Sequence, residues 1–118
     1  MINILLYSFL YAIFNVSGAT IIKSKLMLVD LTTFRAFIVF LLDWKIVLAI
    51  FLIFISMFFS IKTLSIDKFS VIIPILTGVN FLVTIIVGYL LFKDTLILTS
   101  YIGILFIILG IYMIGLAN

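Results

Sequence analysis

Neither cysteine nor histidine occurs in the 118 residues, and only 9% of them are charged. The first absence removes disulfide frameworks and thiol nucleophiles. The second removes the commonest general base, and together they remove most zinc sites. The acids are four aspartates, Asp30, Asp43, Asp67 and Asp94, all near the ends of apolar runs. Such a chain offers a hydrolase or a metal enzyme nothing to work with, so no enzyme activity, cofactor or metal is expected. The seven basic residues are scattered and form no stripe, which argues against a nucleic-acid partner.

What the chain has in excess is apolar surface. It is 68% hydrophobic with a mean hydropathy of +1.62, where soluble domains run at roughly 45–50% apolar and about 25% charged. Membrane spans of roughly 20 residues fit four times into this length. The sequence therefore predicts an all-α integral membrane protein, with residues 1–118 forming a single four-helix transmembrane domain. The predicted spans are 2–22, 44–64, 69–92 and 96–116. The first is not a secretory signal, because Lys23 and Lys25 follow its apolar run and no positive region precedes it. Trp44 and Lys45 suit an interface anchor at the start of the second span. The short connections Ser65–Ser70 and Phe92–Thr95 make the second and third spans, and the third and fourth, antiparallel neighbours.

The segment from Leu28 to Asp43 stands apart. Its apolar part, Ala36 to Leu42, is too short to cross a bilayer, so it reads as an interfacial or re-entrant helix capped by Asp30 or Thr32. The other reading is that the second span starts early and tilts. The first and third loops collect Lys23, Lys25, Arg35, Lys45 and Lys93, whereas Lys62 and Lys68 lie at the other side. This balance favours the first and third loops in the cytoplasm and both termini outside, and because Arg35 and Lys45 border the Leu28–Asp43 segment, dual insertion is the other reading.

Few groups inside the spans carry chemistry. Ser8, Tyr11, Asn15 and Gly18 share one face of the first span. The third span holds Pro74, Thr77, Gly78, Asn80, Thr84 and Gly88. Asn15 suits either an interhelical hydrogen bond or the lining of a transport pathway, and the same pair of readings applies to Asn80. Pro74 removes one helical hydrogen bond, and with Gly78 it marks a static kink or a hinge. Asp94 reads as an N-cap for the fourth span. On that span Gly103 and Gly110 share a face, with Gly115 about a turn further on, a packing surface within one subunit or between two.

Four short helices, the run NVSGATIIK (Asn15–Lys23), a glycine-bearing third span and a glycine-faced fourth resemble the small multidrug resistance proteins of the drug/metabolite transporter (EamA-type) superfamily. Phe59–Ala117 matches the last two and a half helices of that pattern without a gap, with KTLSIDKFSVIIPILTGVN (Lys62–Asn80) its most telling part. The first span aligns too, and only Ser24–Asp43 falls outside. The family carries a titrating glutamate in its first helix, where two copies meet in an antiparallel dimer. Here that position is Asn15, and an amide does not titrate near neutral pH. The family's third-helix aromatics correspond to Ile73 and Leu76, so cation–π recognition is also lost. The longer first loop and Pro74 are similar to the paired subunits of the aminoarabinose–undecaprenyl phosphate flippase branch.

That resemblance implies a flippase-like transporter of a lipid-linked sugar or similar amphipathic solute in the inner membrane, acting as a homodimer or with a similar small subunit. Asn15, Ser8, Tyr11, Gly18, Thr77 and Asn80 would line its pathway, Pro74 and Gly78 would form its hinge, and Gly103 and Gly110 its dimer packing. Lys23 or Lys25 would hold a phosphate at the interface or snorkel to lipid. The rival readings are an exporter of cationic or polar small molecules, and a non-transporting partner subunit of a membrane complex.

Overall fold

The computed structural model describes residues 2–117, and Met1 and Asn118 lie outside the described residues. It is all helix: α1 Ile2–Leu26, α2 Phe34–Leu41, α3 Trp44–Leu64, α4 Phe69–Leu91 and α5 Leu98–Ala117. Every helix except α2 is long and apolar enough to cross a membrane. At 1.5 Å per residue, the 21 residues of α3 reach roughly 31 Å, the thickness of a bilayer's hydrocarbon core. The protein is a multi-pass membrane protein.

The linker between the first two spans contains a separate helix, as the apolar stretch suggested, and α3 does not start early. Its cap is neither Asp30 nor Thr32. Thr33 holds the extended backbone of an N-cap, and its hydroxyl oxygen accepts from the Ala36 N–H at 3.1 Å. The break before α3 is made by Asp43, whose carboxylate accepts from the Lys45 N–H at 2.9 Å and pairs with the Lys25 ammonium at 3.1 Å. That ion pair ties the end of α1 to the start of α3. α1 also runs to Leu26, past the two lysines expected to close it, because long amphipathic side chains continue a helix while their ammonium groups reach the interface.

α1 is the central element and packs on both α3 and α4, while α5 lies mainly against α4. Across the α1–α3 seam the helices are antiparallel. Phe14 stacks on Phe59 with ring centroids 5.5 Å apart, and Gly18 faces Ala49 and Ile53. A Cβ at position 18 would stand 2.7 Å from the Ala49 carbonyl oxygen, so this glycine is what lets the two backbones approach. α4 runs parallel to α1, and the two meet through Ile4, Val71, Ile72, Ile75 and Leu76, with Tyr11, Leu64, Ile73, Val79, Ile111 and Ile114 around them.

Pro74 leaves α4 continuous. It lies in the second turn, so the carbonyl it deprives is that of Ser70 near the helix end, where lipid headgroups and water are within reach. The core packs against α4 on both sides of the proline, at Val71–Ile72 and Ile75–Leu76. Gly78 lets α5 in: a Cβ there would collide with the Ile111 side chain. A Cβ added at Gly103 or Gly110 would meet nothing within 4 Å from another helix, so neither is a point of close approach inside the subunit.

Two outcomes are expected in detergent thermal melts. Gly18→Ala forces α1 off a backbone atom and should cost about 1–3 kcal/mol, whereas Gly103→Ala should leave the melt unchanged. Asp43→Asn should lower the melting temperature at neutral pH. The Lys45 N–H first, and the Lys25 side chain second, hold the Asp43 carboxyl below its ordinary value. A lowered folded pKa stabilises fully above the unfolded value of about 3.9 and is lost as pH falls through the folded one. The deficit of the Asn variant should therefore close in strongly acidic buffer, and a deficit independent of pH would contradict the ion-pair account.

Candidate functional site: a cleft between α1 and α4

α1 and α4 are parallel but not equally close along their length. The buried core joins them at the Ile4–Ile72 end, and grooves lie between them toward the first and third loops. Two grooves occupy the opening. One, of about 400 Å³, is lined by Ile13, Val16, Ser17, Thr20 and Ile21 from α1 and by Val83, Val87 and Leu91 from α4. The other, of about 190 Å³, lies between Val16, Ala19, Thr20 and Lys23 on one side and Thr84, Val87, Gly88, Phe92 and Asp94 on the other. Val16, Thr20 and Val87 belong to both, so the grooves flank a single seam.

The end of α4 shapes the mouth. The Gly88 carbonyl accepts N–H bonds from Phe92 at 3.1 Å and Asp94 at 3.0 Å, and Lys93 turns left-handed at φ 55° to make this reversal. Asp94 is thereby folded back over Gly88, where a Cβ would stand 2.8 Å from its Oδ2. The expectation that Asp94 caps the last helix is wrong. α5 starts two residues later than expected, and the Ile97 carbonyl receives its first bonds, from the Ser100 and Tyr101 N–H groups. The mouth therefore carries one acid, Asp94, and one base, Lys23, with no ion pair between them among the described residues.

Inside the mouth the polar groups are neutral. Thr20 donates to the Val16 carbonyl at 2.7 Å and Thr84 to the Asn80 carbonyl at 2.8 Å. Such back-bonding satisfies each hydroxyl proton and leaves the oxygen able to accept. Asn80 lies one turn below Thr84 on the row Asn80–Thr84–Gly88, toward the closed end. Its Oδ1 is buried and has no hydrogen-bond partner among the described residues.

The residues expected to line a pathway fall into different places. Asn15 is half-buried, lines neither groove, and its carboxamide makes no hydrogen bond among the described residues. The interhelical bond open to it is thus not formed. Ser8 is fully buried, and its Oγ has no hydrogen-bond partner among the described residues. Tyr11 packs against the core, and Gly18 belongs to the α1–α3 seam. Thr77 is exposed on α4. Sequence reasoning missed Ser17, Thr20, Val83 and Val87. The first two are small polar residues three apart on a span whose polar face was drawn through Asn15, and only the splay of the helices selects the other edge.

Because the natural chain has no cysteine, single cysteines report accessibility without background. Ser17→Cys and Thr84→Cys should react with a membrane-impermeant thiol reagent applied at the first and third loops, and Ser8→Cys should stay protected. The reverse pattern would place the opening at the wrong end. No family model matches this chain, and no curated protein matches it.

Proposed function

We propose that the protein moves an amphipathic solute, a lipid-linked sugar above all, across the inner membrane by way of the α1–α4 cleft. The observation that carries this reading is the lining: between the Lys23–Asp94 mouth and the closed end, both grooves present apolar side chains and hydroxyls and no titratable group. A sugar head leaving water needs hydrogen-bonding partners in the core, and neutral ones supply them without stranding a charge. The unpaired Asn80 Oδ1 lies at the deep end of this row. The tails of such a substrate stay in lipid, which suits grooves open along their length.

In its thinnest direction the chain measures 21 Å, about two helix diameters of roughly 10–12 Å each. A body that thin does not enclose a pathway alone. A second protomer, identical or a similar small subunit, closes the cleft in this reading, and α5 is free for that contact because none of its described side chains is buried. Alternate opening would come from two halves rocking against each other, with the clamped end near Pro74 as the pivot. Asn15 cannot exchange a proton, so cargo movement is uncoupled from titration there.

The test is reconstitution in proteoliposomes with an undecaprenyl-phosphate-linked amino sugar, its transfer read by reaction of the amine with a membrane-impermeant acylating reagent. Val87→Trp fills the seam and should slow transfer by roughly tenfold, about 1.4 kcal/mol of added barrier. Asn15→Leu, at a residue that lines neither groove, should spare both transfer and assembly, and impaired transfer would draw the path off the cleft and back to the α1 face that carries Asn15. The exposed Asp94 carboxylate at the mouth favours a second reading, export of small cations. Robust proton-dependent uptake of ethidium or guanidinium, with no transfer of the lipid-linked sugar, would replace the first reading with the second.

A further inference from the structure

A further pocket lies at the loop end of α1, round the helix from the mouth. It has a volume of about 270 Å³ and is lined by Thr20, Ile21, Ser24, Lys25, Leu28 and Lys45. Its polar donors are the Ser24 hydroxyl and the ammonium groups of Lys25 and Lys45. The Thr20 hydroxyl proton is already given to the Val16 carbonyl. The N-terminus of α3 contributes little directly, since Asp43 already accepts from the Lys45 N–H. The site is therefore built from side chains.

Its charge balance is specific. Asp43 pairs with Lys25 at 3.1 Å, which neutralises one ammonium and fixes its position at the edge of the pocket. Lys45 has no carboxylate partner among the described residues. Its ammonium stands 5.9 Å from the centre of the Trp44 ring, which is 70% exposed. One surplus positive charge remains, on a residue that lines the pocket beside the apolar Ile21 and Leu28. The pocket also lies where two spans end, the level at which Lys and Trp meet phospholipid headgroups. An anion with a single charge and an attached apolar body matches it, and a phosphodiester in a lipid has that form.

We propose that this pocket binds the phosphate of an anionic membrane lipid, with Lys45 supplying the unmatched charge and Lys25 and Ser24 donating hydrogen bonds to the phosphate oxygens. Thr20 and Ile21 line this pocket and the larger α1–α4 groove alike, so a lipid held here stands beside the groove. That placement rests on the proposed transport function and would make the pocket the docking point for the phosphate of a lipid-linked substrate. The binding itself does not depend on it, and it is read without transport.

The experiment is intact mass spectrometry of the purified protein in detergent, with added phosphatidylglycerol, phosphatidylcholine or inorganic phosphate alone. Phosphatidylglycerol should be retained over phosphatidylcholine. Lys45→Ala should weaken its retention roughly fivefold, as expected for one Lys facing an anionic headgroup, and Lys45→Arg should restore it. Lys62→Ala and Lys68→Ala, at the opposite end of the bundle, should change nothing. Circular dichroism of each variant establishes that the helices are intact. Equal retention of the two lipids, an unaffected Lys45→Ala variant, or equal losses at Lys62 or Lys68 would overturn the site. Binding of inorganic phosphate as tightly as of the lipid would overturn the lipid assignment. If lipid binding behaves as expected while the proteoliposomes show no transfer, the transport proposal falls and the site stands.

Discussion

The close approach of α1 to α3 at Gly18 governs the rest of the molecule. In a bilayer an apolar side chain gains almost nothing by leaving lipid for protein, so helices are held by tight packing and by polar contacts. Gly18 supplies the tight packing, with the Ala49 backbone directly opposite. Phe14 on Phe59 extends the seam in one direction, and the Lys25–Asp43 pair ties it off in the other. With α1 held along α3, the buried core between α1 and α4 gathers at the Ile4–Ile72 end, and toward the first and third loops grooves lie between the same two helices. The cleft is the remainder of that geometry, a wedge left where one helix cannot follow two partners at once.

The polar groups of the spans divide according to whether they can look after themselves. The hydroxyls of Thr20, Ser56, Thr63 and Thr84 each donate to a carbonyl three or four residues back in their own helix. They ask nothing of a neighbour. Amides have no such local solution of equal quality, and Asn15 and the Asn80 Oδ1 are without partners. The buried Ser8 hydroxyl is likewise unpaired, at a cost of about 1–3 kcal/mol for a desolvated group. Asn80 is half-buried in line with the cleft and Ser8 is fully buried, so an uncovered acceptor has a different meaning at the two positions.

Charge is confined to the helix ends, and there it is organised. At the loop end of α1, Lys25 is matched by Asp43 while Lys45 is unmatched, and Lys23 and Asp94 face the same mouth without joining. A mouth with both signs and an adjacent pocket with one surplus positive charge differ in what they attract. The difference comes from one aspartate, placed by the break between α2 and α3.

Reading along the chain suffices for the all-α class, for the number and placement of the long helices, and for the separate short helix in the linker. Hydropathy over about 20 residues is a property of the segment itself and needs no neighbour. The finer ends were less legible. Thr33 caps α2 although Asp30 and Thr32 are equally good cap residues, and Asp94 lies over Gly88 because Lys93 takes a left-handed turn that its residue type does not announce. The roles of the glycines were beyond sequence altogether: Gly18 and Gly78 are packed against neighbours while Gly103 and Gly110 face open space. A missing side chain says that close approach is allowed and not that it happens. The cleft belongs to the same class of fact. Its lining depends on which faces of α1 and α4 meet and where, a property of two helices and their shared neighbour, which only the tertiary structure decides.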